Sequence, residues 1–114
     1  MRSRIFSLVL LAYSALAADV NGKWRADSTL PRGDKVNEFL DITASGSQLR
    51  GTFTDTFGGK HELRDGKLDG ERISFWLPWG KEKCVATGVA RDGLLQLELV
   101  TPESTRNITA RRAN

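Results

Sequence analysis

Seven clusters of turn-forming residues punctuate this 114-residue chain at intervals of about 10–14 residues, and no segment between them carries a helical period. The clusters are Pro31-Arg32-Gly33-Asp34, Ser45-Gly46-Ser47, Gly58-Gly59, Asp69-Gly70, Pro78-Trp79-Gly80, Asp92-Gly93 and Pro102-Glu103-Ser104. Gly-Gly and Asp-Gly supply the positive φ that tight hairpins require. Seven turns divide the chain into eight short runs. Short connections make each run pair with the one before it, and pairing the last with the first removes both exposed edges. The expectation is an all-β fold, an eight-stranded antiparallel up-and-down β-barrel. A flattened two-sheet sandwich with the same pairing is the alternative.

The runs alternate as half-buried strands do. They cover 23–29, 35–44, 48–57, 60–68, 72–77, 82–90, 94–100 and 105–111. Leu40 and Ile42 share one face of the second run; Ile73, Phe75 and Leu77 share one face of the fifth; Leu95, Leu97 and Leu99 share one face of the seventh. Asp65-Gly66 interrupts the fourth run and reads as a bulge or kink.

The first 17 residues stand apart from this pattern. Met1-Arg2-Ser3-Arg4 is basic, Ile5 to Leu11 is apolar with only Ser7 interrupting it, and Ala15-Leu16-Ala17 places small residues at a cleavage site. The apolar run is shorter than a membrane span of about 20 residues. Residues 1–17 therefore read as a cleaved signal peptide and 18–114 as a single barrel domain, secreted or periplasmic. Without Arg2 and Arg4 the 17 basic residues fall to 15 against 14 acids, a net charge of +1. The basic residues are dispersed, with Arg111-Arg112 as the one adjacent pair, and this excludes the clustered stripe that nucleic-acid phosphates call for. Cys84 has no partner for a disulfide, so the fold rests on packing, and the thiol reads as a small buried apolar group in a monomer.

Gly22-Lys23-Trp24 opens the first strand, Arg111-Arg112 ends the last, and Leu49-Arg50-Gly51-Thr52 and Ala86-Thr87-Gly88-Val89 lie between them. A Gly-x-Trp on strand one with a basic residue on the final strand resembles the lipocalin and avidin group of calycin-type barrels. The resemblance implies that Trp24 plugs a closed end, beside Gly22, and that Arg111 lies across the indole. It also implies a binding protein, since the group holds small ligands and includes inhibitors of secreted proteases.

Catalytic and metal chemistry find little purchase. His61 is the single histidine, so a zinc site with several imidazoles cannot form within one chain. There is no nucleophile elbow, phosphate loop or dinucleotide fingerprint. The expectation is a protein that is no enzyme and carries no cofactor.

Strand direction and side-chain parity then place a site. If Trp24 marks the closed end, the turns near residues 30–35, 58–59, 78–80 and 102–104 share the open end. Counting in twos from the inward apolar residues brings Glu38, Asp55, Phe57, His61, Trp79 and Arg106 to the mouth, with Ser28, Cys84 and Thr101 beside them. An apolar floor under a few polar groups suits a small apolar or amphipathic ligand. The alternative is a solid barrel acting as a surface module for an extracellular protein or glycan, with Trp76 and Trp79 as its aromatic anchors.

Overall fold

The computed structural model describes residues 18–29 and 32–113; the leader assigned to 1–17 lies outside the described residues, as do Leu30 and Pro31 of the first turn. The strands are β1 (Gly22–Thr29), β2 (Lys35–Ser45), β3 (Gln48–Thr54), β4 (Lys60–Glu62), β5 (Arg64–Asp69), β6 (Arg72–Trp79), β7 (Glu82–Arg91), β8 (Leu94–Val100) and β9 (Thr105–Arg112). β4 and β5 are two halves of one barrel strand, broken at Leu63. All pairings are antiparallel, and β9 closes onto β1 through Trp24–Arg112, Arg25–Arg111 and Ala26–Ala110. The result is a closed eight-stranded barrel, with no helix among the described residues.

Strand parity follows the apolar residues. On β2, Val36, Glu38, Leu40 and Ile42 point in, while Asn37, Phe39, Asp41 and Thr43 point out. The core runs continuously from Val20 and Trp24 through Leu40, Phe53, Phe75 and Leu97 to Ile108. β3 approaches β2 closely at Gly51, whose φ is +148° and whose missing Cβ would lie 1.8 Å from the Asp41 carbonyl oxygen. Only glycine tolerates that approach.

The interruption at Asp65-Gly66 is a bulge. Asp65 takes a φ of +50°, and the β5–β6 register slips between Arg64 and Lys67. Beyond the Arg64–Trp76 pair, β6 stays paired with β7 but has no ladder partner on its other side, and β4 is paired with β3 alone. The barrel wall therefore opens between β4 and β6 on the side away from Trp24.

Trp24 is the plug of the closed end. It is 2% exposed, and its Nε1 donates to the Val20 carbonyl at 2.9 Å. The segment before β1 folds under it: Val20 is fully buried, Ala18 N donates to Gly70 O, and Asn21 Oδ1 accepts from Ala44 N at 2.7 Å. The cation across the indole is Arg112, with Cζ 4.2 Å from the ring centroid, and not Arg111. Arg111 is exposed. The reason is the period of two: Ala110 is fully buried, so Arg111 turns out and Arg112 returns to the inner phase. Arg112 also donates to the carbonyls of Asp19 and Asn21. Gly22 makes room for it, since a Cβ there would sit 2.9 Å from Arg112 Nη1.

Candidate ligand site at the open end

At the end away from Trp24 the core stops short and leaves a cup of about 170 Å³. Its floor is Phe53 from β3, Cys84 from β7 and Leu99 from β8. Trp79, at the end of β6, forms one wall, and Glu38 from β2 and Arg106 from β9 form another. Thr101, Glu103 and Ser104 of the β8–β9 turn make the rim. In that turn Ser104 N donates to Thr101 Oγ1, and Thr101 N donates back to Ser104 O, so the rim is held by its own hydrogen bonds.

Glu38 is 4% exposed and is the one charged residue in the buried set among the described residues. Its Oε1 accepts from Arg106 Nη2 across 68 residues of sequence, reaching beneath β1 from one neighbouring strand to the other. A buried carboxylate needs such a partner.

Asp55 and His61 stand behind Trp79 and do not line the cup. His61 Nε2 donates to Asp55 Oδ2 at 2.9 Å, and the imidazole stacks on Trp79 with centroids 4.8 Å apart. This stack spans the opening between β4 and β6. Asp55 Oδ1 accepts from the backbone N–H groups of Phe57 and Gly59, which fixes the β3–β4 turn. The hydrogen bond from His61, and after it those from Gly59 and Phe57, holds the Asp55 carboxyl below the usual carboxylate range, against the opposing effect of burial. A depressed carboxylate contributes stability that is complete above its unfolded pKa and is lost as pH falls through its folded one. Wild type is therefore expected to shed an increment of melting temperature on acidification that Asp55→Asn does not show. Melting curves from pH 7 to pH 2 check this; parallel curves for the two proteins would contradict it.

Phe57 does not line the cup. It is 94% exposed at the tip of the β3–β4 turn, because β3 ends at Thr54 and the alternation ends with it. Trp76 and Trp79 do not form one platform either. They lie three residues apart and so face opposite sides of the wall: Trp79 enters the cup, and Trp76 lies outside, half-buried. The Trp76 ring carries the Lys83 ammonium at 4.3 Å, and its Nε1 donates to Asp65 at 2.7 Å. Glu103 and Ser104, in the turn that the strand directions bring to this end, hold no strand phase and reach the cup only through the shape of that turn.

Cys84 is buried and free, and desolvation pushes its thiol up from the ordinary range, with Arg106 opposing. A raised thiol is a poor nucleophile at neutral pH. The expected result is a species that does not dimerise on non-reducing gels and whose native thiol reacts slowly with a maleimide, at a rate that jumps on denaturation. Rapid native labelling would place Cys84 at the surface.

A larger, shallow groove of about 810 Å³ follows the seam of β3 with β4 and β5, where pairing lapses between Leu49–Gly66 and Thr52–Glu62. Its charges alternate in sign through Arg50, Glu62, Arg64 and Asp65, and it contains no buried polar group.

No family model matches the chain, and no curated protein matches it. Among solved structures it is similar to a point mutant of the fluorescent protein UnaG, with 15% identity over 83% of this chain and 96% of that one and a TM-score of 0.55. At that identity the likeness is one of fold alone, an antiparallel β-barrel.

Proposed function

We propose that this barrel is an exported binding protein that takes a small amphipathic ligand into the cup at its open end. One observation carries the reading: Glu38, Trp79 and Arg106, from three separate strands, meet around a cavity at the end opposite the Trp24 plug. An apolar floor with a few convergent polar groups is the usual anatomy of a small-molecule site. The shared fold with UnaG supports a barrel of this type. At about 170 Å³ the cup has room for one ring or a short chain; a water molecule takes about 30 Å³ and drug-sized ligands occupy about 300–1,000 Å³.

Binding, rather than catalysis, fits the two groups that would do chemistry. His61 stands outside the cup with its ring stacked on Trp79, and the Cys84 thiol is buried and raised. Export rests on the character of residues 1–17. Native mass spectrometry of protein recovered from its host is the test. A co-purified small molecule is expected, and adding it back to stripped protein at about 100 times its Kd raises stability by about 2.7 kcal/mol. A protein that is always recovered empty, and that no small molecule stabilises, would turn the reading to a solid barrel acting through its surface.

A further inference from the structure

The cup has a recognisable polar edge. Glu38 spends one carboxylate oxygen, Oε1, on Arg106, and no described residue donates to the other, Oε2. No buried side-chain polar atom among the described residues lacks a hydrogen-bond partner, so Oε2 is not sealed in protein. Glu38 is nearly buried and lines the cup, and the cup is therefore where Oε2 opens. Arg106 also lines the cup, and beyond the Nη2–H given to Glu38 its N–H groups donate to no described residue. An acceptor and a set of donors thus lie side by side on one wall. Trp79 rises from another strand, with one ring face taken by His61, and Phe53 closes the floor.

We infer that the cup selects an uncharged, planar, single-ring ligand with an N–H and an acceptor on adjacent atoms, which pairs edge-on with Glu38 and Arg106 and packs its ring against Trp79 and Phe53. This deepens the small-ligand reading and rests on it. A simple anion is disfavoured, because the Arg106 charge is already met by Glu38 and Glu103 adds a further negative charge at the rim. A simple cation meets the Arg106 guanidinium on the same wall. A purely apolar ring would take water from Oε2 and the free N–H groups and return nothing. The volume suits a single ring.

The test compares 2-pyridone, N-methyl-2-pyridone, benzoate and toluene, following the Trp79 indole N–H signal of the purified protein by NMR. Saturable shifts with 2-pyridone at a Kd lower by about tenfold or more than with the other three are expected, the size that one unmet buried hydrogen bond produces. Glu38→Gln keeps an oxygen for Arg106 but sets an amide N–H against the ring N–H, and should abolish the preference. Equal affinity for all four probes overturns the edge pairing and leaves the cup as an apolar site. Benzoate binding best also overturns it, by making Arg106 an anion site. If no probe moves Trp79 while the spectrum stays that of a folded protein, the edge pairing falls, and the small-ligand reading is decided separately by the search for a co-purified molecule. Should Glu38→Gln fail to fold, the comparison of 2-pyridone with its N-methyl analogue on wild type decides alone.

Discussion

Replacing Trp24 with alanine is expected to cost about 3–5 kcal/mol, the range for truncating a large aromatic in a core. Three losses coincide. The indole is almost wholly buried, its Nε1 holds the Val20 carbonyl, and its face carries Arg112. Domains of this size have total stabilities of about 5–15 kcal/mol, so the variant should melt more than about 12 °C lower or fail to fold. Trp24→Phe keeps most of the burial, loses the indole donor and should fall between the two. The adjacent arginines sharpen the test. Arg112→Leu loses the indole contact and the bonds to Asp19 and Asn21, whereas Arg111→Leu, on the exposed face, should lie within about 0.5 kcal/mol of wild type. Thermal and urea unfolding followed by circular dichroism measure all four. If Trp24→Ala melts within a few degrees of wild type, the closed end is held by something else.

Arg106→Leu should be the other severe substitution, at about 3 kcal/mol. The cost does not come from the arginine, which is partly exposed, but from the Glu38 carboxylate left in the wall without its donor. The figure sits at the low end of the usual range because the cup admits water to that carboxylate. The double variant Glu38→Leu, Arg106→Leu removes the orphaned charge and should recover most of the loss, as isosteric replacement of a buried pair does. Urea midpoints of the two single variants and the double measure the coupling. Additive losses would mean that Glu38 and Arg106 do not depend on one another for stability.

Much of this architecture is legible in the residue order, for a local reason. Turn residues set strand number, and short connections between strands force neighbours to pair antiparallel. The period of two then places Leu40, Phe75 and Leu97 inward before any coordinate is known. The same period, counted on from Ala110, points to Arg112 and not Arg111 beneath Trp24; that signal was present in the sequence. Phe57 shows where the rule ends. Parity is a property of a paired strand, and the Asp55 side chain turns the backbone at residues 55–59, so the alternation has no meaning there.

By itself, then, the sequence determined a barrel of eight strands, its inward face and the end on which Glu38, Trp79 and Arg106 gather, because turns and alternation act over a few residues. The tertiary structure alone decided that Glu38 and Arg106 bond across β1, that His61 and Asp55 buttress Trp79 across the break between β4 and β6, and that the core stops short of the rim. These depend on the closure of β9 onto β1 and on the bulge at Asp65, which set how far apart residues distant in sequence come to lie. Whether a small barrel is solid or hollow is a matter of how side-chain volumes fill one enclosed space, and no single strand carries that information.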